Sequence, residues 1–186
     1  MGLKAVFLNC TLKYPPDLSE TRALIDRAVE LFSETGIESE VIRITDYNIK
    51  FGRTFDMGGD DEWPGIYEII RQSDIVVIGS PVSSGVRSSV AQLVIERLYG
   101  SYSYDSPESG HNPLYGKVAG VIISGEEDGA YNVAADTLFD LNCLGCIIPP
   151  NAGGDKQFYT NLTVGYMVRN LAWMANLLKE SRTMQV

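Results

Sequence analysis

The segment Asp74-Ile75-Val76-Val77-Ile78-Gly79-Ser80-Pro81-Val82-Ser83-Ser84-Gly85 decides how this chain folds. Ile75 to Ile78 are four β-branched residues in succession with nothing polar among them, so both faces of the run should be buried. Such a strand belongs in the middle of a parallel sheet with helices on both sides. Gly79 is expected to end it, because Pro81 has a fixed φ and no N–H to give to a ladder. Gly85 permits a backbone path closed to other residues. A polar, glycine-containing loop at the carboxyl end of a buried parallel strand is where open α/β sheets hold ligands.

The pattern repeats outward in both directions. Ahead of the segment, Leu3 to Leu8 reads as a strand. A helix with Leu24, Ala28, Leu31 and Phe32 on its buried face follows, capped by Asp17 or Ser19 and closed by Gly36. Glu40 to Ile44 is a shorter strand, residues 45–59 have no helical period, and Glu62 to Arg71 is a short helix with Pro64 near its start. Behind the segment, Val90, Leu93, Val94 and Leu98 mark a helix, and residues 100–115 form an insertion rich in Ser, Gly, Pro and Tyr. Val118 to Ser124 is a buried strand, and the helix after it should turn Ala130, Ala134, Leu138 and Leu141 inward. Cys146 to Ile148 should begin the last strand, 151–161 is loop, and the final helix buries Val164, Met167, Leu171, Met174 and Leu178. Five strands alternating with five helices over 186 residues make one α/β domain, 1–186. Its sheet is expected to be parallel and doubly wound, in the order 2-1-3-4-5 with helices on both faces.

A formal net charge of −9 argues against nucleic acid or an anionic membrane as partner, since the long-range field repels both. No apolar run approaches the roughly 20 residues of a membrane span, and no secretory leader pattern opens the chain. Three cysteines, an odd number, point to a reducing compartment, so a cytoplasmic location is expected.

The turns after strands one, three and four should lie side by side along one sheet edge. In the first, Thr11, Lys13, Ser19 and Thr21 supply hydroxyls and an ammonium just ahead of a helix start, where unpaired N–H groups and the helix dipole favour an anion such as phosphate. The plainer alternative is a simple N-cap beside a solvated loop. No G-x-x-x-x-G-K-[ST] and no G-x-G-x-x-G follows the strand, so neither a nucleoside triphosphate nor a Rossmann-bound dinucleotide is indicated. Cys143-Leu144-Gly145-Cys146 fits C-x-x-C but falls at a helix end, where a redox dithiol lacks the dipole that would lower its pKa, so core packing is expected. Cys10 reads as packing and His111 as a surface loop residue. Asp128 is read as the cap of the following helix, with Glu126 and Glu127 in water beside it. Tyr99, Tyr102, Tyr104 and Tyr115 suit either loop packing or a subunit contact.

Taken together, Asn9-Cys10-Thr11-Leu12-Lys13, Ser19-Glu20-Thr21, Asp61-Glu62-Trp63-Pro64, Ser80-Pro81-Val82 with Gly85 and Ser88-Ser89, and Glu127-Asp128-Gly129-Ala130 resemble flavodoxin-family FMN oxidoreductases. Within that family the chain is similar to NADPH-dependent FMN reductases and NAD(P)H:quinone reductases. The resemblance runs to about Pro150 and implies a flavodoxin-like fold, one FMN per subunit, NAD(P)H as co-substrate, and a homodimer or tetramer. It places Thr11, Lys13, Ser19, Glu20 and Thr21 around the FMN phosphate. Pro81, Val82, Ser83, Ser84, Gly85 and Val86 would wrap the ring edge, and Ser124, Gly125, Glu126, Asp128, Gly129 and Ala130 would line its other side.

The activity implied is ping-pong hydride transfer from NAD(P)H through flavin N5 to a small-molecule acceptor: a quinone, a nitroaromatic or a flavin. It needs no protein nucleophile, so no catalytic residue is assigned. Two departures stand out. Relatives carry an aromatic pair where this chain has Ser83 and Ser84, and the segment after Pro150 is short. The missing aromatic contact, about 1–3 kcal/mol, implies weaker flavin binding or room for a larger substrate, and Ser84→Trp is expected to tighten FMN. The alternatives are a flavodoxin-type electron carrier and a relative that has lost FMN and binds another ligand.

Overall fold

The alternation read from the sequence is present in the chain. A computed structural model describes residues 2–14, 16–101, 114–125, 128–155 and 160–183. In order, these form β1 (Lys4–Asn9), α1 (Glu20–Glu34), β2 (Glu38–Arg43), α2 (Trp63–Gln72), β3 (Ile75–Ser83), β4 (Val86–Arg87) and α3 (Ser89–Gly100). After these come β5 (Val118–Ser124), α4 (Ala130–Cys143), β6 (Gly153–Asp155) and α5 (Thr160–Thr183). The sheet runs β2-β1-β3-β5-β6 with every neighbouring pair parallel, which is the expected 2-1-3-4-5 winding once β4, a short antiparallel arm on β3, is set aside.

Side-chain alternation along β3 explains why no polar residue is tolerated there. Ile75 and Val77 enter one core with Phe7, Ile25, Phe32 and Leu171, under α1 and α5. Val76 and Ile78 enter the other, with Leu8, Ile66, Val94 and Leu98, under α2 and α3. Gly79 lets α1 come close, because a Cβ there would stand 2.8 Å from Ile25 Cδ1 and 2.9 Å from Thr21 Cγ2.

Three expectations are corrected. β3 does not end at Gly79 but runs through Pro81 to Ser83. The last residue pair of β1 with β3 is Asn9 with Gly79, so Pro81 lies past the end of that neighbour, where a missing N–H breaks no ladder. The last strand does not begin at Cys146. Ile147 makes one isolated bridge to Val118, and Pro149, Pro150 and a left-handed Asn151 (φ 52°) interrupt the edge before β6 pairs with Val121 to Ile123. In α4 the fully buried side chains are Val133, Thr137 and Leu141, while Ala130, Ala134 and Leu138 are only partly covered. The insertion 100–115 falls mostly outside the described residues, as do His111, Tyr102 and Tyr104.

The stretch between β2 and α2 is more tightly anchored than a plain loop. Asp61 and Arg97 form an ion pair of 2.7 Å with both side chains fully buried. The guanidinium also donates to the carbonyls of Lys50 (2.8 Å) and Phe55 (2.9 Å) and lies over Trp63. Burial pushes the Asp61 carboxyl up, but hydrogen bonds from the Met57 and Lys50 backbone and from Arg97 outweigh it, leaving the pKa below the ordinary carboxylate value. A carboxylate whose folded pKa is lowered contributes stability that is whole above its unfolded pKa and is lost as pH falls toward the folded one. Asp61→Asn is therefore expected to cost about 3–5 kcal/mol at neutral pH, by leaving Arg97 buried without its counter-charge. Urea titrations from neutral pH down through pH 4 should show that loss shrink with acidification. An unchanged midpoint at neutral pH would contradict it.

Candidate functional site

Three turns at the carboxyl edge of the sheet are bound to one another by buried hydroxyls. After β1, the Asn9 side chain accepts from the Thr11 amide (3.3 Å), and the Thr11 hydroxyl accepts from the Lys13 amide (3.2 Å). Ser88 is the N-cap of α3, accepting from the Ala91 amide (3.1 Å), and its hydroxyl donates to the Cys10 carbonyl (2.8 Å). The Ser88 amide in turn donates to the Ser80 hydroxyl (3.1 Å). Across the floor, Thr21 Oγ1 and Ser124 Oγ share a 2.7 Å hydrogen bond that links the first turn of α1 to the end of β5.

The loop between β3 and β4 is a two-residue hairpin. Ser84 (φ 51°) and Gly85 (φ 79°) both take the left-handed conformation that a type I′ turn requires. Its tip rests on Gly129 (φ 121°), where a Cβ would stand 2.6 Å from the Gly85 carbonyl oxygen. The left-handed backbone also revises the expectation for Ser84→Trp, since a bulky residue is strained at positive φ. Ser83, the last residue of β3, is the better host for an aromatic ring.

Between the turns lies a cleft of about 620 Å³, counting its open mouth. That size suits a small-molecule ligand. Thr11, Leu12, Lys13, Ser19, Glu20 and Thr21 line one end, and Pro81, Val82, Ser83, Ser84, Ser124 and Gly125 the other. Five of the residues assigned from sequence lie elsewhere. Gly85 and Gly129 pack against each other beneath the hairpin tip. Val86 lines a neighbouring groove, Ala130 packs on the core, and Asp128 is exposed. Asp128 does not cap α4: the capping position belongs to Gly129, with no side-chain hydrogen bond. Glu126 and Glu127 lie outside the described residues. Leu12 in the cleft, and Ser80 and Ser88 in the network beneath it, belong to the site as well, and all three stand inside the quoted motifs.

The donor set fits a flavin phosphate. Ser19 caps α1 by accepting from the Arg22 amide (3.2 Å), so its own proton remains to donate, as does that of Thr11. Both stand beside a helix start, which is a natural anion site. Lys13 sits at the rim, its ammonium donating to the Leu18 carbonyl (3.0 Å), while Arg43 donates to the Lys13 carbonyl. Thr21 lines the same end of the cleft, with its hydroxyl shared with Ser124. At the other end, the turn backbone of Ser83, Ser84 and Gly125 offers polar groups to a ring edge.

The sequence pattern described as NADPH-dependent FMN reductase matches residues 3–157. The chain belongs to this family. Membership makes it an FMN-dependent NAD(P)H oxidoreductase-family enzyme. Among its relatives is the 8-demethyl-8-aminoriboflavin-5′-phosphate synthase of Streptomyces davaonensis, 36% identical over 97% of this chain and 80% of that protein. A crystal structure of RosB with the bound intermediate 8-demethyl-8-formylriboflavin-5′-phosphate overlays with a TM-score of 0.84 at 35% identity, covering 96% of this chain and 81% of that one. A Mycobacterium bovis protein named divalent metal cation transporter MntH is 35% identical over 96% of this chain but only 29% of its own length. No helix among the described residues is long and apolar enough to cross a membrane.

In this FMN reductase family member Cys10 and Cys146 are buried packing residues, as expected, whereas Cys143, also expected in the core, lies on the solvent side of the last turn of α4. Gly145 (φ 98°) closes α4, with the Cys146 amide donating to the Leu141 carbonyl (3.0 Å). Burial pushes the Cys146 thiol up to about 12 and raises that of Cys10 as well, so neither forms a thiolate near neutral pH. Cys143 is exposed. A thiol-exchange chromogen should therefore label one cysteine of the native protein quickly and the other two only on unfolding. Rapid reaction of all three would contradict the buried positions. Gly129→Ala should cost about 1–3 kcal/mol by pushing the hairpin off its seat. Paired melts and flavin titrations would show stability and affinity falling together, and an unshifted melting temperature would count against the close contact.

Proposed function

We propose that the cleft binds a flavin 5′-phosphate and that the enzyme passes reducing equivalents from NAD(P)H to a small-molecule acceptor of the flavin class. The observation that carries this reading is the convergence of three turns into one cleft, with a hydroxyl-rich helix start at one end and small residues at the other. The flavin, when bound, supplies the ring atom that accepts and returns a hydride.

The chain's residues have holding and orienting roles. Thr11, Ser19 and the amides at the start of α1 hold the phosphate, with Lys13 adding positive charge at the rim. The hairpin backbone at Ser83 and Ser84 fixes the ring edge, and Gly125 leaves room beside it. Leu12 and Val82 keep water from one side of the ring. Quinones and nitroaromatics are the other acceptors that such a site admits. A flavin acceptor is favoured because the relative solved in complex holds a flavin phosphate and because the small side chains of Ser83 and Ser84 leave the cleft open on that side. The same pair supports a second reading, in which the flavin phosphate is itself transformed at the ring rather than retained as a permanent cofactor. A homodimer or tetramer in the cytoplasm is the assembly and location that accompany this reading.

Adding FMN to purified protein should produce a perturbed flavin spectrum, and rapid anaerobic mixing with NADPH should bleach it within a turnover. Binding without bleaching would point instead to an electron carrier, and no spectral change with FMN would end the reading. Ser83→Trp is expected to tighten FMN about tenfold by restoring ring contact. An unchanged dissociation constant would show that the serines do not limit affinity.

A further inference from the structure

A second cavity adjoins the cleft. It is a groove of about 950 Å³, counting its open side, walled by Val86, Arg87, Ser89, Gln92 and Asp136. Ser83 and Ser84 line both the cleft and the groove, so the two are separated only by small side chains. A Tyr or Trp at either position would stand between them. A rigid ring with its phosphate beside Thr11 and Ser19 therefore presents its far edge to an opening, not to a wall.

What the groove offers to that edge is one-sided. Arg87 is neutralised by Asp140, Nη1 to Oδ2 at 2.6 Å. The Gln92 amide nitrogen gives one of its two hydrogens to Glu96 at 3.0 Å, which orients the amide, and its oxygen can accept. Asp136, one turn before Asp140 on α4, is exposed and has no ion-pair partner among the described residues. The remaining polar groups are the hydroxyls of Ser83, Ser84 and Ser89, which can donate or accept. With Arg87 balanced by Asp140, the charge left facing the groove is negative and belongs to Asp136.

Resting on the flavin-phosphate reading above, we propose that this groove is a specificity subsite for a hydrogen-bond-donating nitrogen, an amine or amide, on the ring edge farthest from the phosphate. Asp136 is its principal acceptor and Gln92 its second. An N–H held by a carboxylate is a charge-assisted hydrogen bond, stronger than its neutral counterpart. A methyl group in the same place makes no such bond and faces a polar wall. The subsite thus discriminates between flavin phosphates by what they carry at that edge.

The test compares two probes, riboflavin 5′-phosphate and its 8-demethyl-8-amino analogue, by absorbance titration against the wild-type protein and Asp136→Ala. Wild type should bind the amino analogue about tenfold more tightly. In Asp136→Ala that margin should vanish, while affinity for riboflavin 5′-phosphate stays within about twofold. Asp136 is exposed, so the variant should fold normally, and a melting curve checks that it does. Equal affinities in the wild type, or a margin that survives Asp136→Ala, would overturn the subsite while leaving the flavin-phosphate reading intact. Failure of both probes to bind the wild type would instead overturn that reading, and the subsite with it.

Discussion

The carboxyl edge of this sheet depends on one buried hydroxyl. Ser88 starts α3 by capping its first turn, and the same oxygen donates to the Cys10 carbonyl at the exit of β1. One side chain thus sets the distance between two of the three turns, and Ser80 ties it back to β3. The Thr21–Ser124 pair does the same for the third. Buried hydroxyls of this kind have little freedom to be replaced, because losing one partner strands the other away from water. The cleft is therefore built before any ligand arrives, which reduces the ordering cost of binding.

Preorganisation at the hairpin has a different origin. Gly85 and Gly129 approach so closely that backbone meets backbone, and Gly129 has no space for a methyl group without moving the hairpin. The hairpin that grips the proposed ring and the loop that lines its other side therefore cannot shift independently. Small residues at 83 and 84 then decide what would lie beyond the proposed ring.

Much of the architecture was readable because burial leaves simple marks. The unbroken Ile75–Ile78 run identified the central strand, the three polar turns were expected to converge, and Gly36 and Gly145 closed their helices as expected. The misreadings share a cause: a local rule was overridden by something distant in sequence. Pro81 continues a strand because β1 has already ended beside it. Ser84-Gly85 makes a type I′ turn without the Asn-Gly or Asp-Gly signal that would announce it. Asp128 cedes the cap to Gly129, whose missing side chain is needed by the hairpin. Arg97 carries no mark of burial in the sequence, yet it is wholly buried, because its partners lie 36 to 47 residues away. No helical periodicity could have revealed them.

That guanidinium has a thermal consequence. Stripping water from charged groups becomes less costly as temperature rises, whereas apolar burial gains little per unit area over the same range. The attachment of the segment before α2 to α3 should therefore hold comparatively better in the heat than the apolar contacts around it. Chilling acts in the opposite direction, raising the cost of keeping Asp61 and Arg97 out of water.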